Sequence, residues 1–177
     1  MLRTTMRSKL SVGVTGHRFF RQSGSLEFAQ SLSDIFTELE QQCNDGFPVL
    51  YSGLADGADC EVAELAIIRG WELIAVLAGP EAEFALEHAP SKRTEVYAKL
   101  LGMAQSIIIA APAGTSSPER YCKVGDQIIQ GIDCLIAVWD GDASNPMPGG
   151  TAWVVAKFLQ SGTNAVGRLH HLQVNRA

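Results

Sequence analysis

The chain has 177 residues, the size of one ordinary domain. Hydrophobic residues make up 46% and charged residues 19%, a balance that buries a sizeable core and excludes a disordered chain. The net charge of -5 makes it a poor candidate for wrapping nucleic acid, because phosphate contacts need clustered Lys and Arg.

Leu10 to Thr15 is a short β-branched run ending in Gly16-His17-Arg18, the pattern of a buried strand entering a loop. Ser25 to Cys43 carries helical spacing, with Leu26, Ala29, Leu32, Ile35, Phe36 and Leu39 on one predicted face. Gly46 and Pro48 close it. Val49 to Gly53 is a second strand, followed by Asp56-Gly57 and a helix from Ala58 to Arg69 that Gly70 stops. Trp71 to Ala78 is a third strand, ended by Gly79-Pro80. Glu81 to Met103 reads as a helix broken at Pro90-Ser91. Ser106 to Ala111 is a fourth strand, Pro118 to Gly131 another helix, and Asp133 to Trp139 a fifth strand running into Asp140-Gly141. Gly149-Gly150-Thr151 opens a last helix to Gln160, and Arg168 to Val174 is either an added edge strand or a mobile tail.

Strands that are continuous apolar runs alternating with helices imply a parallel sheet covered on both faces. The predicted fold is therefore a doubly wound, mainly parallel, Rossmann-like sheet of five to seven strands in three α/β/α layers. It forms one domain over 1–177, with the core at about 10–160 and a tail at 165–177. Cys43, Cys60, Cys122 and Cys134 form no C-x-x-C pair, which argues for reduced thiols and against a structural zinc site. No apolar stretch resembles a signal peptide or a membrane span, so a cytoplasmic protein is expected. Arg3, Arg7, Lys9, Arg18 and Arg21 form a basic crowd early in the chain. His88, His170 and His171 read as surface or tail residues without metal-ligand spacing, and Trp71, Trp139 and Trp153 as core or interface residues.

Ligands of such sheets bind outside the carboxyl ends of the strands, and glycine and small polar residues follow strands one, two and five. In Thr15-Gly16-His17-Arg18, Gly16 permits close backbone approach, Arg18 suits a phosphate, and His17 donates or titrates near neutrality. In Ser52-Gly53-Leu54-Ala55-Asp56-Gly57-Ala58-Asp59, two glycines feed a helix N-terminus suited to an anion. There Asp59 is placed to cap the helix and Asp56 to accept from a ribose hydroxyl. No Lys-Ser/Thr follows the glycines, so this is not a phosphate-binding loop of the Walker kind. Gly149 and Gly150 offer amides at a third helix start, with Thr151 either a further donor or its cap. Asp140 and Gly141 orient a ribose or make a turn; Arg120 reaches a phosphate or starts a surface helix; Tyr121 stacks on a base or does neither.

Y-S-G-L-A-D-G-A-D at 51–59 resembles a signature of the DNA-processing protein A family. P-G-G-T-A at 148–152 resembles the P-G-G-x-G-T motif of the Lonely Guy phosphoribohydrolases. With V-T-G-H-R at 14–18 and A-V-W-D-G at 137–141, the chain looks like an uncharacterised bacterial branch of the SMF/DprA–LOG (SLOG) Rossmann-like superfamily, over roughly 10 to 160. The resemblance implies a binding site for nucleotides or nucleotide derivatives, in some members as a sensor module, and a homodimer. In the phosphoribohydrolase pattern a glutamate follows the glycines, whereas Ala152, Trp153, Val154 and Val155 stand here.

The expected function is thus a sensor-like module for a nucleotide or nucleotide derivative. It needs no cofactor beyond a bound nucleotide or phosphate, no metal and no membrane. Hydrolysis of a nucleotide N-glycosidic bond is the alternative, with His17 and Asp140 as weak catalytic candidates. Single-stranded DNA binding through the basic crowd ranks third.

Overall fold

The computed structural model describes residues 9–43, 46–80, 92–162 and 168–177, without the side chains of 92–94. Among the described residues eleven elements follow one another: β1 (Ser11–Gly16), α1 (Leu26–Gln41), β2 (Val49–Ser52), α2 (Ala58–Ile68), β3 (Glu72–Leu77), α3 (Lys92–Met103), β4 (Ser106–Ile109), α4 (Ser117–Gln130), β5 (Cys134–Trp139), α5 (Thr151–Gln160) and β6 (Leu169–Gln173). The six strands lie in the order β4-β3-β2-β1-β5-β6, and every pair is parallel. This is the expected Rossmann-like sheet, and the tail contributes β6, which closes the edge beside β5.

The order reverses between β1 and β5. The chain steps outward from β1 through β2 and β3 to β4, then returns to pair β5 on the other side of β1. Connections leaving in opposite directions open a crevice at the carboxyl end of β1.

Two apolar layers hold the sheet. On one face Val12, Val14, Leu50 and Leu73 pack with Phe36 and Leu39 of α1 and Val62, Ala63 and Ala66 of α2. On the other, Leu135, Ala137 and Trp139 pack with Val154, Val155 and Phe158 of α5. Ser25 caps α1, its hydroxyl accepting from the Phe28 amide at 3.2 Å. The buried stripe of α1 is Phe28, Leu32, Phe36 and Leu39. The predicted face was out of phase at its start: Leu26 is 87% exposed and Ala29 is exposed, because Phe28 is the first residue of the stripe to face the sheet.

β4 also departs from expectation. Its isoleucine run reads as a buried strand, yet Ile107 and Ile109 are exposed, because β4 is the last strand of the sheet. His170 lies within β6 with its imidazole largely covered, rather than at the surface. The four cysteines are free. Among the described residues no helix is long and apolar enough to cross a membrane. His88, Arg3, Arg7 and the predicted break at Pro90-Ser91 lie outside the described residues.

Candidate functional site

A cavity of about 540 Å³ opens at the carboxyl end of β1. One wall is the loop after β1, with Gly16, His17 and Arg18; the floor holds Gly53, Ala55 and Asp59. The facing wall is a stripe of α4, namely Tyr121, Val124, Gly125 and Ile128. The segment from Asn145 to Ala152, which includes the start of α5, completes the rim with Arg176. The cavity therefore occupies the switch point that the strand order creates.

Close contacts between the loops build it. Gly57 is the N-cap of α2 and has φ +82. A β-carbon there would stand 2.2 Å from the Arg18 carbonyl oxygen, so only glycine lets the loop after β2 pass the loop after β1. The Ala58 amide donates to the His17 carbonyl at 3.1 Å across the same contact. Gly149, with φ +77, packs on α4 in the same way, since a β-carbon would meet Tyr121 Cβ at 2.6 Å.

The loop after β2 is stitched internally. The Leu54 amide donates to Ser52 Oγ at 3.1 Å, and the Ala55 amide to Asp59 Oδ2 at 3.3 Å. Leu54 has φ 52 and is wholly buried. A left-handed leucine is unfavourable by about 1–2 kcal/mol, which burial of its side chain offsets.

Several expected site residues therefore hold the site rather than line it. Ser52 and Leu54 are wholly or almost wholly buried beneath the floor. Asp56 and Gly57 line a smaller hollow of about 360 Å³ with Glu61 and Glu64, and Arg18 borders both cavities. Arg120 is buried, and its Nε donates to the Thr115 carbonyl at 2.6 Å, which ties α4 to the preceding loop. Thr151 does not cap α5; the cap is Gly150, without a side-chain bond. Asp59 likewise is not a cap, because the cap of α2 is Gly57.

His17 and Asp140 are drawn together, with the imidazole Nε2 3.2 Å from Asp140 Oδ1 and 3.1 Å from the Asp140 amide nitrogen. Asp140 also accepts from the Asp142 amide at 3.1 Å and from Arg176 Nε at 2.7 Å. Burial pushes this carboxyl up, but the Asp142 amide, His17 and Arg176 outweigh it and hold it below its usual value. Asp140 and Gly141 stand outside the cavity lining, and the aspartate fastens the end of β5 to the tail.

The carboxyl that does line the cavity is Asp59. Burial raises it to about 7, against the Ala55 amide and the Arg18 charge, both of which lower it. Arg18 lies over the ring of Tyr121 at 5.3 Å. Of the basic crowd, the described members part company: Lys9, at the amino end of β1, pairs with Glu72, whereas Arg18 and Arg21 follow its carboxyl end. Cys60, beside the smaller hollow, has its thiol pushed up to about 12 by burial and by neighbouring carboxylates, which makes it a poor nucleophile.

Of the α4 stripe, Tyr121 is marked by the sequence, whereas Val124, Gly125, Ile128 and the tail residue Arg176 belong to no motif. Tyr121, Val124, Gly125 and Ile128 do recur at helical spacing, which is a legible signal. Arg176 has none, because the tail is brought to the site by long-range pairing, with residues 19–22 as in the Arg21 amide to Asn175 carbonyl bond of 2.9 Å, and with Asp140.

No protein-family model matches the chain, and no curated protein sequence does. Among solved structures, the X-ray structure of DNA processing protein A from Streptococcus pneumoniae is similar over 93% of this chain, with 19% identity and a TM-score of 0.34. The chain spans 59% of the length of that solved protein.

Proposed function

We propose that the chain binds a nucleotide or nucleotide-derived small molecule in the cavity at the end of β1, as a sensor-like module. The observation that carries this reading is the start of α5. Gly149, Gly150, Thr151 and Ala152 line the cavity, and no side chain caps the helix. Its first amides and the positive end of its dipole thus meet the cavity, which Arg18 also lines. Val124, Ile128 and Val154 supply an apolar surface for a base. The size, about 540 Å³, is that of a small-molecule site.

Binding is favoured over turnover because Asp140, one sequence candidate for acid–base work, is committed to Asp142 and Arg176. Calorimetric titration with nucleoside mono- and diphosphates, cyclic nucleotides and ADP-ribose tests the reading. At least one is expected to bind, and Arg18→Ala is expected to weaken it. A panel without binding overturns the reading; release of free base during incubation replaces it with hydrolysis.

A further inference from the structure

Among the described residues that line the cavity, Asp59 is the one acidic side chain. It is 8% exposed. Its Oδ2 accepts from the Ala55 amide at 3.3 Å, and among the described residues Oδ1 has no hydrogen bond. An oxygen without a partner, on a carboxyl that lines the cavity, is open to a donor that enters it.

Its place relative to α5 can be read along α4. A β-carbon on Gly53 would stand 3.2 Å from both Asp59 Oδ2 and Val124 Cγ1, so the carboxyl and Val124 both border Gly53. Gly149, which leads into α5, packs on Tyr121. Tyr121 and Val124 are three residues apart on one helix face, roughly 5–6 Å between side-chain roots. The carboxyl and the amides at the start of α5 therefore line one cavity along neighbouring stretches of α4.

We propose that Asp59 determines specificity: its free oxygen accepts the ribose hydroxyls of a ligand whose phosphate rests on α5, so the cavity takes ribonucleotides over deoxyribonucleotides. The inference rests on the nucleotide reading above. It moves to Asp59 the role that sequence spacing offered to Asp56, which lines the other hollow. The titratable and charged groups lining the cavity with Asp59 are His17 and Arg18 from the loop after β1, Tyr121 from α4, and Arg176. All of these can donate to a ligand, which leaves Asp59, once ionised, as the acceptor among them.

The test is titration of the full chain with the four ribonucleoside 5′-monophosphates and their 2′-deoxy and 3′-deoxy counterparts. Wild type is expected to bind a ribonucleotide about tenfold tighter than its deoxy form, the scale of one hydrogen bond to a charged acceptor. Asp59→Ala is expected to erase that gap. Should this variant not fold, the pH profile of wild type serves instead. Donation by hydroxyls favours the ionised carboxyl, so the gap should widen as pH rises through about 7. The phosphate is common to both ligands, so its repulsion cancels from the difference. Equal affinity for ribo and deoxy forms, or a gap that persists in Asp59→Ala, overturns this role and leaves the nucleotide reading standing. Absence of binding by every nucleotide overturns both.

Discussion

The guanidinium carbon of Arg18 stands 5.3 Å from the centre of the Tyr121 ring, joining the loop after β1 to the first turns of α4. Cation–π contact at this distance contributes about 0.5–1 kcal/mol and orients the guanidinium without using its N–H donors on the ring. Those donors remain suited to phosphate oxygens. Arg18→Ala should therefore weaken nucleotide binding by roughly tenfold to a hundredfold while the melting temperature moves little. Tyr121→Phe, which keeps the ring, should bind close to wild type, and Tyr121→Ala should lose part of the Arg18 effect. Calorimetry beside thermal melts checks this. A large fall in melting temperature for Arg18→Ala would mean that the residue serves the fold.

Gly149 and Gly150 are adjacent but should fail differently. A side chain at Gly149 meets α4 backbone and Tyr121 at under 3 Å and requires φ +77. At Gly150, φ is an ordinary -81 and the nearest obstacle is the Met147 carbonyl at 3.1 Å. Gly149→Val is expected to cost roughly 2–4 kcal/mol of stability, combining strain with overpacking. Gly150→Val should cost about 1 kcal/mol and yet lower affinity more than tenfold, because its side chain intrudes where a phosphate approaches the amides. Equal losses of melting temperature in the two variants would contradict this contrast.

Asp59 has a folded-state value of about 7, well above the 3.8 of a free aspartate. The folded state thus holds a proton that the unfolded state releases, and stability falls as pH rises from about 4 to about 7. Above 7 the full penalty of an ionised buried carboxyl is present. Asp59→Asn keeps the shape and an oxygen for the Ala55 amide but removes that charge. It should leave stability near wild type at pH 4 and raise it at pH 8 by roughly 1–3 kcal/mol. Denaturant titrations at the two pH values measure this, and a gain that is the same at both would refute it.

The strand runs were legible because a buried parallel sheet leaves no polar face to disguise. What the runs could not reveal was lateral position. Ile107 to Ile109 and Leu135 to Val138 look alike in sequence, but the first lies at an edge and the second in the centre. The glycines at strand ends marked the right end of the sheet. They did not settle which acidic residue faces the cavity, since Asp56 and Asp59 both follow Gly53 within the stretch that leads into α2. The left-handed turn at Gly57 decides it. Asp56 stays on the smaller hollow, while Asp59, at the second position of α2, looks back on its own loop. His17 and Asp140 invited a catalytic reading because each follows a strand, but β1 and β5 are neighbours, so the two pair with each other.

Far from the cavity, Glu40 clamps α1 to the far end of α2. Arg69 donates to it through Nε at 2.9 Å and Nη2 at 2.5 Å, and Trp71 Nε1 donates at 2.8 Å. Trp71 also stacks on Phe36, with ring centres 4.1 Å apart. The Arg69 bonds, helped by Trp71, hold the Glu40 carboxyl below its usual value of 4.5, against burial. A depressed folded-state value means stabilisation that is present above 4.5 and is lost as pH falls through the folded value. Glu40→Gln should therefore cost about 1–2 kcal/mol at pH 7, since the amide keeps one acceptor but loses the charge. The deficit should shrink as pH falls from 4.5 through the folded value, because the unfolded wild type takes up a proton before the folded glutamate does. Urea titrations at pH 7 and pH 3 decide the matter. A deficit unchanged at pH 3 would assign the clamp to shape and hydrogen-bond count, with the charge contributing nothing.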